Sequence, residues 1–255
     1  MEIKCPICGE AVELPETMIG VKVRCPLCEG VFMAEDEEIF LLQPARSYAI
    51  VAAGSAENGV VECSDPNGLI KWRYPEINGE IWIDGVSFNI PSRFLVIPSE
   101  IDGKPVTTIG GRAFYDRQDI IGVFIPSSVT SIEEGAFLAC HSIQSVTISE
   151  GVKYIAKHAF ASCFSLESVT IPASVTNIAS ESFEECNNLK SVTILGESVE
   201  IENAAFWGCP NLQSVTLLGE NKQFDHRRSS AFGGCRSLKG IIRNIGGKME
   251  WQPLR

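Results

Sequence analysis

From residue 120 onward the apolar positions of the chain recur in a fixed order. Val123, Val146, Val169 and Val192 lie 23 residues apart, and so do Ile132, Ile155, Ile178 and Ile201. Phe137, Phe160, Phe183 and Phe206 make a third column, and Cys140, Cys163, Cys186 and Cys209 a fourth. Four columns in register over four units are not a chance pattern. Within a unit the period drops to two: in Ser168-Val169-Thr170-Ile171 apolar and hydroxyl residues alternate and most are β-branched, which predicts a strand with one buried face. Val169 and Ile171 then point inward, Ser168 and Thr170 outward. Pro172 predicts a turn, residues 175–178 a second short strand, and Ser182-Phe183-Glu184-Glu185-Cys186 a single helical turn that returns the chain. An earlier, more divergent unit carries Ile109, Ala113 and Phe114, with Arg117 where the cysteine would stand. A later one begins at Leu212 and keeps Ala231, Phe232 and Cys235 after a three-residue insertion.

A 23-residue period falls in the range of leucine-rich repeats, in which each unit supplies a strand and a return segment. Such units bury their Val, Ile and Phe against their neighbours and do not fold alone. The segments Ser191-Val192-Thr193-Ile194, Ile125-Pro126-Ser127-Ser128-Val129-Thr130-Ser131-Ile132 and Gly135-Ala136-Phe137-Leu138-Ala139-Cys140 closely resemble the BspA-like leucine-rich-repeat family. Val96-Ile97-Pro98-Ser99-Glu100-Ile101-Asp102-Gly103-Lys104-Pro105-Val106 is similar to that family's first repeat. The resemblance spans about residues 80–243 and implies a curved solenoid used for contacts with proteins or cell surfaces. Ser182 in the alanine column, Ser198 in a valine column and the insertion near Phe224 depart from the pattern.

The N-terminus obeys different rules. Cys5-Pro6-Ile7-Cys8 and Cys25-Pro26-Leu27-Cys28 are two tight knuckles separated by sixteen residues, the spacing of a tetrahedral four-thiolate zinc site. Between them Val12, Leu14, Val21 and Val23 alternate with polar residues, which predicts a hairpin carrying one knuckle to the other. A unit this small lacks an adequate apolar core, whereas structural zinc contributes on the order of 10 kcal/mol to folding. Residues 3–34 resemble the short zinc-ribbon family found at the N-termini of many bacterial proteins, with Glu29 where a glycine is common. Four protein thiolates leave no open coordination position, so the expected Zn2+ is structural and not catalytic.

The chain thus reads as mainly β: a leucine-rich-repeat solenoid behind a small zinc ribbon. The ribbon takes residues 1–38 and ends in the charge run Glu35-Asp36-Glu37-Glu38. Residues 39–93 form a β-rich connector and N-terminal cap, and Trp72, Tyr74, Trp82 and Phe88 within it, with Phe94 just beyond, cover the open end. The solenoid occupies residues 94–243, and residues 244–255 close it around Met249 and Trp251.

A formal charge of −11 argues against a polyanionic partner, because nucleic-acid binding draws on Lys and Arg that neutralise phosphates. Residues 1–38 hold Lys4, Lys22 and Arg24 against nine acidic residues, a net −6. A nucleic-acid-reading ribbon with the solenoid as scaffold is therefore the secondary reading. No apolar run reaches the roughly 18 residues of a membrane span, no targeting signal opens the chain, and the thiolates suit a reducing compartment; together these place it in the cytoplasm, with the cell surface as the alternative. The repeat cysteines read as small buried packing groups. His141, His158 and His226 read as exposed on turns, and none accompanies a nucleophile and an orienting acid, so no enzyme is expected. What remains is recognition. Phe124, Gln144, Thr147, Glu167, Thr170, Lys190, Thr193, Gln213 and Thr216 project outward from successive strands and form the candidate surface for a protein partner, with Phe124 as its anchor.

Overall fold

The computed structural model describes residues 70–88, 94–219 and 230–253, together with five short strands nearer the N-terminus. Four of those strands form two antiparallel hairpins: β1 (Glu2–Lys4) pairs with β2 (Ala11–Glu13), and β3 (Lys22–Arg24) with β4 (Val31–Met33). This differs from the expected hairpin between the knuckles. The strands pair within each cysteine-bearing segment, β1 with β2 and β3 with β4, and not across the two segments.

Next come β5 (Val61–Ser64), β6 (Ile70–Tyr74), β7 (Glu76–Ile77), β8 (Glu80–Ile83) and β9 (Gly85–Phe88). β5, β6 and β9 make a three-stranded antiparallel sheet. Its Trp72 and Tyr74 are buried in one continuous core with the coils that follow, while Trp82 is half-buried. β10 (Phe94–Val96), β11 (Glu100–Ile101) and β12 (Lys104–Ile109) lead into the regular part.

From there each coil contributes one strand of four residues and one of two. They are β13 (Gly122–Ile125) and β14 (Ser131–Ile132), β15 (Ser145–Ile148) and β16 (Tyr154–Ile155), β17 (Ser168–Ile171) and β18 (Asn177–Ile178), β19 (Ser191–Ile194) and β20 (Glu200–Ile201). β21 (Ser214–Leu217), β22 (Gly240–Ile245) and β23 (Lys248–Pro253) finish the chain. The longer strands stack into an eight-stranded sheet in the order β10-β13-β15-β17-β19-β21-β22-β23, parallel except for the last, antiparallel pair. The shorter ones build a second sheet, β20-β18-β16-β14-β12-β8-β7. Pro126 and Pro172 end the strands before them, since proline fixes φ and offers no N–H to the ladder; a turn follows, closed by the Val129 and Val175 N–H groups on the proline carbonyls, each at 3.2 Å.

The return segment is not the expected helical turn; among the described residues there is no helix. It is a string of tight turns whose N–H groups alternate in direction. Phe160 and Ser162 donate to the next coil, to the carbonyls of Ser182 and Glu184, both at 2.7 Å. Ala159 and Ala161 donate within the coil, to Ala156 and His158 at 3.2 and 3.1 Å. A helix would point all four along its own axis and leave the neighbouring coil unbonded. The alternation needs a left-handed residue on either side of each phenylalanine: φ is 55° at His158 and 57° at Ser162, 60° at Glu181 and 54° at Glu185. None of these is glycine, so the strain of the left-handed region is offset by cross-coil hydrogen bonds.

The column of phenylalanines lies in the core. Phe114, Phe137, Phe160, Phe183, Phe206 and Phe232 stack in sequence, with ring centroids 4.9–5.3 Å apart and planes within 16°. This separation matches the strand spacing of about 4.8 Å that the ladder imposes. The cysteines are buried, free of disulfides, and do more than fill space. Each thiol donates to the carbonyl of the phenylalanine one coil earlier: Cys140 to Phe114 at 2.9 Å, Cys163, Cys186 and Cys209 to Phe137, Phe160 and Phe183 at 3.3 Å, and Cys235 to Phe206 at 3.1 Å. At the first coil no such phenylalanine precedes. There Arg117 replaces cysteine and its longer side chain donates to the Val86 carbonyl at 2.6 Å, with Asp119 holding the guanidinium.

Candidate interaction surface

The outward face of the eight-stranded sheet is built by the period-two pattern together with parallel register. In β15, β17, β19 and β21 the inward Val and Ile or Leu are buried while the Ser and Thr between them are half-buried or exposed. Register turns these positions into columns. Gly122, Ser145, Ser168, Ser191 and Ser214 are successive partners along one. Phe124 pairs with Thr147 in the next, and Thr170, Thr193 and Thr216 continue it. Gln144, Glu167, Lys190 and Gln213 line the rim, where the N–H of each of the last three donates to the carbonyl of the one before at 2.8–3.2 Å. Lys190 and Glu167 are paired at 3.2 Å, both side chains more than half exposed; such a pair contributes about 1 kcal/mol or less. Of the nine candidate surface residues, Phe124, Thr147, Thr170, Thr193 and Thr216 thus share one register column of the sheet, and the other four each directly precede a strand. Phe124 is half-buried there.

The face extends farther than the sequence suggested. Thr216 pairs with Ile242, and Ile242 with Trp251, so the threonine column ends in two apolar side chains that are 37% and 59% exposed. Leu218, the residue after β21, and Met249 on β23 are also exposed, at 43% and 46%. β23 pairs along β22 at the ladder edge, and the Met249 and Trp251 side chains stay outside the core. Gly240 makes room for this: a Cβ there would come within 2.5 Å of the Trp251 ring. The Gly246-Gly247 turn, with φ of 60° and 85°, was the available signal that residues 240–253 fold back as a hairpin.

The opposite flank is more strongly charged. His158 lies 2.8 Å from Glu181 and 3.8 Å from Glu184, and Lys157 reaches Glu181 at 2.9 Å. Lys157 holds the Glu181 carboxyl below the usual range. Burial, then the neighbouring Glu181 charge, pushes Glu184 up. His141 is not simply exposed either: its ring stacks on Phe164 at 4.3 Å, and both His141 and His158 are half-buried. His226 and the four knuckle cysteines, Cys5, Cys8, Cys25 and Cys28, lie outside the described residues.

Residues 107–240 match the sequence profile of the BspA type leucine rich repeat region, in six copies. The chain belongs to this family. The six stacked phenylalanines mark the six copies in the structure. Among solved structures, the leucine rich repeat protein of T. pallidum is 30% identical, over 70% of this chain and 81% of that one, with a TM-score of 0.59. A leucine-rich repeat protein from Bacteroides ovatus is 26% identical over 68% of this chain and 45% of that one, with a TM-score of 0.56. An uncharacterized protein of Archaeoglobus fulgidus is 30% identical over 46 residues, 18% of this chain; the chain spans about half of that curated relative, 55%. None of these relatives supports the cytoplasmic location expected above. Among the described residues no helix is long and apolar enough to cross a membrane.

Proposed function

We propose that the chain is a non-catalytic binding module whose outward sheet face receives a protein partner, with a zinc-organised head at residues 1–38 as an accessory contact. The observation that carries this is the register of the Ser and Thr columns. It makes a flat strip of short side chains, running from Phe124 to Ile242 and Trp251, with a polar rim of Gln144, Glu167, Lys190 and Gln213. Short hydroxyls leave the backbone ladder close to the surface and present donors and acceptors at a repeat of about 4.8 Å. Apolar groups at both ends supply the desolvated anchors on which interfaces depend.

For the head, the support is the donor set and the hairpins around it. The two hairpins are offset by the same 20 residues as the two cysteine pairs, Glu2–Lys4 with Ala11–Glu13 against Lys22–Arg24 with Val31–Met33. Two equivalent hairpins, each with a cysteine pair in the sequence between its strands, fit a single tetrahedral ion held by Cys5, Cys8, Cys25 and Cys28. Zinc there would supply folding energy and no reaction.

The test is capture by the full chain compared with a triple variant, Thr147→Lys, Thr170→Lys and Thr193→Lys, whose circular dichroism matches wild type. Proteins retained by wild type and lost by the variant are the expected result. Retention of every captured protein by the variant refutes the sheet face as the binding surface. A gel shift of duplex DNA at low salt would instead favour the nucleic-acid reading, against which the net −6 of residues 1–38 weighs.

A further inference from the structure

We propose that His158, Glu181 and Glu184 form a site for a divalent first-row transition-metal ion that ties two consecutive coils together. The three donors come from different turns: His158 from one coil, Glu181 and Glu184 from the next. One ligand atom of each lies within 4.8 Å of the others. His158 Nε2 is 2.8 Å from Glu181 Oε2 and 3.8 Å from Glu184 Oε2. An ion bonded at about 2.0–2.2 Å holds adjacent ligands about 3 Å apart, so the side chains need shift by less than about 1 Å to enclose one.

The repeat does not impose this arrangement. One coil on either side, the column of His158 and Glu181 holds Gly135 and Ala204, and the column of Glu184 holds Ala161 and Trp207. Only here do an imidazole and two carboxylates replace small or aromatic residues at stacked positions of the described coils. The backbone beneath them is rigid. His158 and Glu181 are both left-handed, and Phe160 and Ser162 bond to Ser182 and Glu184 at 2.7 Å, so the two turns cannot slide apart.

Charge points the same way. Two glutamates face one imidazole, and Lys157 bonds one of them, Glu181, at 2.9 Å. One nitrogen and two oxygens suit manganese, cobalt, nickel or zinc, and three protein ligands leave positions for water or for a carboxylate of an incoming partner. The site lies on the turn side, away from the hydroxyl columns, and stands whether or not those columns bind protein.

Manganese is the discriminating probe, because thiolates disfavour it and the N-terminal cysteines do not compete. Mn2+ would be titrated into the full chain and the free aqua ion followed by electron paramagnetic resonance. One saturable site per chain is expected, weakened at least tenfold in His158→Ala and in Glu184→Gln and unchanged in Glu250→Gln. Imidazole resonances of His158 should broaden before those of His141 and His226, a readout that needs no variant. The absence of saturable binding up to millimolar Mn2+, or equal binding by His158→Ala, overturns the proposal.

Discussion

Removing one ring from the middle of the phenylalanine stack should cost more than removing one at its exposed end. Phe160 is fully buried and stacks on Phe137 at 5.0 Å and on Phe183 at 5.2 Å. Phe→Ala in a close-packed core costs about 3–5 kcal/mol. Of this, the two ring contacts account for about 1–3 kcal/mol, at roughly 0.5–1.5 each. Phe160→Ala should therefore destabilise by about 4 kcal/mol, a large part of a total of about 5–15. Phe232 is 9% exposed where Phe160 is fully buried, so Phe232→Ala should cost about 1 kcal/mol less. Phe164 stacks on His141 at the half-exposed turn, and its truncation should cost about 1 kcal/mol. Urea denaturation followed by tryptophan fluorescence and circular dichroism measures the series. Trp72 and Trp82 report from one end of the ladder, and Trp207 and Trp251 from the other. In a molecule held together by nearest-neighbour interfaces, weakening a central one should broaden the transition or split it between the two ends. A Phe160→Ala chain within 1 kcal/mol of wild type, or a Phe164→Ala chain equally damaged, would refute the claim that the stack carries the coil-to-coil interface.

Other outcomes follow from particular positions. Gly151 has φ of 130°, and a Cβ there would lie 2.1 Å from the Ser127 carbonyl oxygen, so Gly151→Ala should lower stability by about 2–3 kcal/mol in the same denaturation assay. Ala204 sits at φ of 60°, and Ala204→Gly should raise the midpoint, by about 0.5–1 kcal/mol. Burial pushes the Cys140 thiol up to about 12 and raises Cys163 and Cys186 as well, so these should resist iodoacetamide at pH 8 until guanidinium unfolds the chain; mass spectrometry of the alkylated peptides decides. The Arg117 hydrogen bond holds the Asp119 carboxyl below its ordinary 3.8. A native carboxyl more acidic than the unfolded one contributes stability above the unfolded value, which is lost as pH falls through the native one. Wild type should thus lose stability below about pH 4 more steeply than Asp119→Asn in thermal melts taken between pH 5 and pH 2.

The regular coils were legible because burial and register share one period: Val169 and Ile171 inward, Phe160 stacked on its equivalents, Thr170 outward all follow from position in the 23-residue unit. The return turn was not. Its left-handed residues are His158, Ser162, Glu181 and Glu185, which carry no local signal of positive φ, and the conformation is chosen by hydrogen bonds to a neighbouring coil that lies 23 residues away in sequence. The thiol-to-carbonyl bonds were hidden for the same reason, since a column of cysteines shows that a small group is needed and not which acceptor it meets. The pairing of the N-terminal strands was misread because Val12 and Val23 alternate equally well in either arrangement. The apolar end of the partner face escaped notice because Ile242 and Trp251 become neighbours only once residues 240–253 reverse direction.

That reversal has a mechanical outcome. A stack of parallel coils exposes, at its last coil, the same hydrogen-bonding edge that accepted every previous one, and a second molecule could dock there and continue the pile without limit. Here, among the described residues, the long-strand sheet finishes in β23, which runs antiparallel to β22. An arriving coil, stacked as every earlier one is, would need a parallel partner there and meets a strand of the opposite direction, so the hairpin disfavours end-to-end growth through this sheet.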